Sequence, residues 1–191
     1  MLRWLVSLVS LLLLGGCAAA IVGGAAAGAS AAHDRRTFGS VIDDNAIELT
    51  AYDSINKDKE LALDNNVSVV AHNGVLLIIG QARTAELRAR TETKVQGIAG
   101  VKRIVNEIEV REPTGLGVRS HDKWITVRVK AALLDIVDLP DFDASRVNVT
   151  TENRAVYLMG LVKQDESQRV IEIARSVPGV ERVVNVFEYI D

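Results

Sequence analysis

The chain has little of what most chemistry needs. Among its 191 residues there are one cysteine, three histidines and three prolines, and aromatic residues make up only 4%. One cysteine excludes an intramolecular disulfide and leaves too little sulfur for a cysteine-built zinc site. The histidines, His33, His72 and His121, form no His-x-x-x-His or Cys-His spacing, so no metal site or cofactor is expected. No phosphate loop or Gly-x-Gly-x-x-Gly pattern occurs, since Gly115-Leu-Gly117 lacks the third glycine. The acid pairs Asp43-Asp44 and Asp165-Glu166 fall at expected helix starts, where they favour the helix dipole rather than general acid/base work. No catalytic constellation is visible, and the expected role is non-enzymatic. A net charge of −3 excludes a broad basic surface for nucleic acid and equally a strongly acidic disordered tail.

A long apolar run is missing too. Trp4–Leu14 is unbroken and mostly aliphatic, but its 11 residues span only ~16 Å as a helix, against ~30 Å of hydrocarbon. With Arg3 before it, the run reads as the apolar core of a signal peptide. Leu14-Gly15-Gly16-Cys17 follows and resembles the bacterial lipobox, in which a peptidase cuts before a lipid-modified cysteine. That resemblance makes residues 1–16 a removed leader and Cys17 a lipid anchor; the other reading is an ordinary cleaved signal with an incidental cysteine. Ala18, where an aspartate would signal inner-membrane retention, implies the periplasmic face of an outer membrane. Residues 17–41 are a low-complexity tether rich in Ala and Gly, and structure is expected from about Val41.

What the chain does have is a repeat. Val67–Gly80 aligns with Val147–Gly160 at an offset of 80, and Gly100–Glu109 aligns with Gly179–Glu188 at 79. Upstream, Ile47, Ala51 and Ile55 align with Ile125, Val129 and Leu133 at 78.

Each copy reads alike. An amphipathic helix (Asp44–Lys59; Asp122–Asp135) carries apolar residues at i, i+4 and i+8. An alternating strand follows (Val67, Val69, Ala71; Val147, Val149, Thr151). Asn73-Gly74 then signals a type I′ hairpin, for which Asn153-Arg154 is the weaker counterpart because arginine tolerates positive φ less well. A continuous apolar strand ends in Gly80 or Gly160, a helix covers Thr84–Gly97 or Gln164–Val177, and a third strand covers Val101–Val110 or Val180–Ile190. The fold class is α+β: two αββαβ domains, residues 42–111 and 119–191, each a three-stranded mixed sheet covered on one face by two helices. Residues 112–118, with Pro113 and Gly115, form the linker.

The glycine after the second strand and the Gly-Val-x-x-Val-x-Asn that opens the third resemble the BON domain of bacterial envelope proteins, across both copies. With the lipobox and the Pro-x-Gly-Leu-Gly linker, the chain is similar to dual BON-domain outer-membrane lipoproteins. That resemblance implies a protein that supports outer-membrane integrity, binds anionic phospholipid such as phosphatidylglycerol or cardiolipin through its second BON domain, and gathers at division sites. Partners of another class, an outer-membrane assembly machine or a regulator of cell-wall hydrolases, would make it an adaptor instead.

The residues themselves bear on the phospholipid reading. Trp124, Val127, Arg128, Ala131 and Leu134 lie off the core stripe of the second copy's first helix, where the first copy has Ala46, Leu49, Thr50, Asp53 and Asn56. Lys123, Arg128 and Lys130 against two aspartates leave that helix at +1, and its counterpart stands at −2. Trp prefers the membrane interface and cations prefer an anionic surface. Taken alone, the residues leave two readings open: a lipid-binding face, or a Trp124 packed on the first domain beside an ordinary solvated face. For the anchor, Cys17→Ser is expected to abolish incorporation of labelled palmitate and to release the chain from the membrane fraction. Undiminished label in that variant would contradict the lipobox reading.

Overall fold

A computed structural model describes residues 34–191. The leader, Cys17 and most of the expected tether lie outside the described residues. The elements are α1 (Phe38–Asn56), α2 (Lys59–Asp64), β1 (Asn65–His72), β2 (Val75–Ala82), α3 (Ala85–Val95) and β3 (Arg103–Val110) in the first repeat. The second repeat has α4 (Leu116–Leu134), a 3₁₀ turn (Ala144–Arg146), β4 (Asn148–Glu152), β5 (Ala155–Met159), β6 (Leu161–Val162), α5 (Gln164–Ser176), β7 (Arg182–Asn185) and β8 (Glu188–Tyr189).

Each sheet has its hairpin antiparallel and its last strand parallel, in the orders β1-β2-β3 and β4-β5-β7. A βαβ crossover makes the parallel pair, with α3 or α5 packed on one face beside α1 or α4. Ile47, Ala51 and Ile55 of α1 meet Leu76, Ile78 and Ile108 under the helices. Ile125, Val129 and Leu133 of α4 meet Val156, Leu158 and Phe187 in the same way.

The opposite faces pack on each other. Val75, Leu77 and Ile79 of β2 form one buried cluster with Ala155, Tyr157 and Met159 of β5. Period-two alternation sends odd and even residues of each central strand to opposite faces, so both faces of β2 and β5 are buried. That explains their unbroken apolar runs. Polar pairs seal the rim reciprocally: Asn73 Nδ2 of the first hairpin donates to Glu188 at 3.0 Å, and Asn153 Nδ2 of the second donates to Glu109 at 2.9 Å. Tyr157 receives the Arg182 guanidinium on its hydroxyl at 3.2 Å, and burial pushes its phenol up to about 12.

Several expectations are corrected. Both first helices start earlier than expected: α1 begins at Phe38, capped by the Thr37 hydroxyl, and α4 begins at Leu116 within the stretch read as linker. The chain is already held at Arg35, before the expected onset near Val41. Asp44 therefore sits in the second turn of α1 and serves the hairpin instead of the helix dipole. It is buried and accepts from the N–H groups of Asn73 (2.7 Å) and Gly74 (2.8 Å). Asp122 does the same for Asn153 and Arg154, both at 2.9 Å. This second clamp holds the weaker turn, in which Asn153 and Arg154 take φ of 48° and 61°.

The central strands do not simply end at their glycines. β2 runs through Gly80 to Ala82, whereas the second repeat breaks at Gly160 between β5 and β6. Both glycines are required by a close crossing: a Cβ at Gly80 would lie 1.9 Å from the Asn66 carbonyl oxygen, and one at Gly160 would lie 2.5 Å from that of Arg146. The third strand of the second repeat is likewise interrupted at Val186–Phe187, although Val186 N–H still bonds Leu158 O at 2.9 Å. The motif asparagines have a local task here. Asn106 Oδ1 accepts from Ile108 N–H at 3.1 Å and Asn185 Oδ1 from Phe187 N–H at 2.9 Å.

Removing either clamp leaves two turn N–H groups without their carboxylate; Gly74 is buried, Asn73 and Asn153 are half-buried and Arg154 is exposed, so the cost is at most about 1–3 kcal/mol for each group. Asp44→Ala and Asp122→Ala are each expected to lower stability by about 2 kcal/mol or more in urea unfolding. A loss below about 0.5 kcal/mol in both would show that the turns hold without them.

Candidate functional site

Helix α4 packs by Asp122, Ile125, Val129 and Leu133. At about 100° per residue, positions 124, 127, 131 and 134 fall on the side away from that stripe. They carry Trp124, Val127, Ala131 and Leu134, all exposed, with Trp124 at 45% and Leu134 at 72%. An apolar stripe thus runs along the solvent side of the helix, and Val137 beyond its end is 91% exposed. Arg128 flanks the stripe on one side and Lys123 and Lys130 on the other. Among the described residues, no salt bridge engages these three cations, whereas Arg35, Arg36, Arg90, Lys94 and Arg182 all meet carboxylates.

Trp124 is half-exposed and makes its ring contacts within its own helix. Its ring stacks on His121 (centroids 5.4 Å apart, planes at 24°), and Arg128 Cζ lies 4.5 Å from its centroid. The indole is therefore clasped by neighbours at i−3 and i+4 of its own helix, the spacing at which helical side chains meet. His121 was not among the expected site residues, because the helix was expected to start after it. The repeat register held the missing signal: at offset 78, Leu116-Gly117 aligns with Phe38-Gly39, and both pairs open a helix.

The same face of α1 differs in kind. Phe38, Ile42, Leu49 and Tyr52 are exposed, yet no Lys or Arg occurs anywhere in the helix. Asp53 and Asn56 stand where α4 has Ala131 and Leu134.

Two further polar groupings lie off this face. Between the repeats, Glu152 accepts from Gln81 (2.6 Å) and Asn66 (3.2 Å), and burial raises its carboxyl despite the Gln81 bond. Arg35 holds Glu166 at the start of α5 through two bonds of 2.6 and 2.8 Å, and Leu161 O at 3.0 Å. Arg36 binds Asp44 at 2.8 Å, so two consecutive arginines fasten the incoming chain to the second repeat and then to the first. Among the described residues there is no cluster of three His, Cys, Asp or Glu placed to hold a metal. No helix among them is long and apolar enough to cross a membrane.

The profile of the BON domain matches residues 43–112 and 121–191. The 21 kDa hemolysin of Actinobacillus pleuropneumoniae is 36% identical over 157 residues, covering 82% of this chain and 79% of that protein. Outer membrane lipoprotein DolP of Haemophilus influenzae is 33% identical over 160 residues, covering 84% of this chain and 81% of that protein. A solved structure of CdsD, a structural protein of the type III secretion system of Chlamydia trachomatis, covers 74% of this chain and 91% of its own at 12% identity. Its TM-score of 0.32 is too low to bear on fold or site.

The Arg35 fastening has a pH signature. Burial pushes the Glu166 carboxyl upward, but the hydrogen bonds from Arg35 and from Lys163 N–H outweigh it and hold the group below the ordinary range. A carboxylate lowered on folding adds stability above the unfolded glutamate pKa of ~4.3, and that stability is lost as pH falls through the folded value. Glu166→Gln is therefore expected to be less stable than the parent at neutral pH. The gap should close as urea midpoints are followed down below about pH 4. A gap that is constant with pH would mean that Glu166 acts through shape alone.

Proposed function

The chain belongs to the BON-domain family, with two copies in tandem, and we propose that it is an outer-membrane lipoprotein whose second repeat binds anionic phospholipid through the outer face of α4. Cys17 carries the lipid, the chain lies on the periplasmic side, and phosphatidylglycerol and cardiolipin are the headgroups engaged. The role is one of binding, in support of outer-membrane integrity and at division sites. The observation that supports this most is the exposed stripe of Trp124, Val127, Ala131 and Leu134 set between the unpaired cations Lys123, Arg128 and Lys130.

The physical terms are modest singly. Each cation near an anionic surface contributes about 1 kcal/mol, and the indole favours the headgroup level. An acyl anchor at Cys17 converts such weak contacts into an intramolecular event with an effective concentration on the order of millimolar. Arg128 over the Trp124 ring lets one insertion bring charge and aromatic surface to the interface together.

A second reading, a protein-interaction adaptor, draws on α1. Its exposed Phe38, Ile42, Leu49 and Tyr52 lack cations and suit an apolar protein surface better than an anionic bilayer. The two roles occupy different helices and are compatible.

Flotation separates them. The mature chain with Cys17→Ser is expected to float with phosphatidylglycerol vesicles and not with phosphatidylcholine vesicles, and to be released as salt rises. Trp124→Glu and the pair Arg128→Glu, Lys130→Glu should each reduce flotation at least about tenfold, a loss of roughly 1.4 kcal/mol. Equal binding to both vesicles, or indifference to these changes, would refute the lipid reading.

A further inference from the structure

Beside the stripe lies a groove of about 510 Å³ between α4 and the 3₁₀ turn that precedes β4. Val127, Ala131 and Leu134 form its helix wall; Ala144 and the buried Val147 form the other wall and floor. The apolar stripe and the groove thus share three side chains, and an apolar group lying on the stripe has a continuous path inward. Lys130 stands at the rim with no carboxylate partner among the described residues. Asp143 is also at the rim, but its carboxylate accepts from Ser145 N–H at 2.9 Å as the cap of the turn. The volume lies within the ~300–1,000 Å³ of ordinary small-molecule sites.

The first repeat supplies an internal comparison. Beside α1 lies a smaller groove of about 380 Å³ that overlaps this place in part, through Leu49, Tyr52 and Val67, the counterparts of Val127, Lys130 and Val147. Glu48 lines it, bonded to Ala71 N–H at 2.8 Å, and Tyr52 stands where α4 has Lys130. Each groove has one carboxylate engaged by a backbone N–H, Glu48 or Asp143, so the difference lies in the cation: the first groove has none, while the second has Lys130 and an apolar floor.

We infer that this groove takes one acyl chain of an anionic phospholipid, with the phosphate at Lys130. This rests on the lipid reading above and adds to it: the second repeat would hold single lipid molecules as well as a charged surface. A chain drawn out of the bilayer is shielded along Val127, Ala131 and Leu134 on one side and Val147 on the other, so its contact with water is limited.

The test uses the mature chain with Cys17→Ser and monomeric dihexanoyl-phosphatidylglycerol, kept below its micelle-forming concentration and followed by NMR. Methyl signals of Val127, Ala144 and Val147 are expected to shift saturably. Deacylated glycerophosphoglycerol should leave them unmoved, and dihexanoyl-phosphatidylcholine should bind at least fivefold more weakly. Ser145→Trp, at an exposed position on the rim, is expected to fill the groove and weaken monomer binding at least fivefold. Flotation on phosphatidylglycerol vesicles, which reads the stripe, reports whether that variant is still folded and competent. If the vesicles still bind but Ala144 and Val147 do not shift, the groove is overturned and the surface reading stands. If neither vesicles nor monomer bind, both fall.

Discussion

Two strands at the centre of the molecule present apolar side chains to both of their faces. In β2, Leu76 and Ile78 point under the helices while Val75, Leu77 and Ile79 point at the other sheet, and β5 mirrors this with Val156 and Leu158 against Ala155, Tyr157 and Met159. Once the sheets meet back to back, neither has an open face. A domain of about 70 residues is marginal alone because too little of its surface is buried, and this contact gives each repeat a second core. The consequence for function is exclusion: what remains for binding is the backs of the helices, the loops and the strand edges.

Duplication then separates what the fold requires from what one copy does. The buried aspartates 44 and 122, the crossing glycines 80 and 160, and asparagines 106 and 185 do the same work in each copy. They are tied to backbone geometry and leave no room for drift. The outward faces of α1 and α4 carry no such duty, and there the copies part. One has no basic residue in the helix; the other has Arg119, Lys123, Arg128 and Lys130. A net charge of −3 hides this, because it averages over cations that meet carboxylates elsewhere, such as Arg35, Arg90 and Arg182, while Lys123, Arg128 and Lys130 meet none among the described residues.

Much of the architecture was legible in the residue order. The repeat, the αββαβ plan and the core stripes follow from periodicities of 3.6 and 2, and the outward position of Trp124, Val127, Ala131 and Leu134 follows from the same helical period. The helix starts left only the offset-78 register of Phe38-Gly39 with Leu116-Gly117 as a trace, because Gly39 and Gly117 argue locally against helix and the Thr37 cap and Arg36–Asp44 pair are visible only in three dimensions. Nor was the Arg35–Glu166 fastening, which joins residues 131 positions apart. Asp44 was misread as a dipole partner because nothing nearby in sequence shows that the hairpin turn comes to rest on it. The clasp of His121 and Arg128 on Trp124 lay in the i, i+3, i+4 spacing, hidden only by the misplaced start.

The central claim is that Trp124 enters an anionic bilayer. The chain has two tryptophans, Trp4 and Trp124, and cleavage before Cys17 would leave Trp124 as the only one. Intrinsic fluorescence of the mature chain therefore reports that single side chain. On phosphatidylglycerol vesicles its emission should move to shorter wavelength and be quenched by lipids brominated along the acyl chain, with neither change on phosphatidylcholine. An emission maximum that stays where it is in buffer, unquenched by brominated lipid while the protein is bound to the vesicles, would contradict the account.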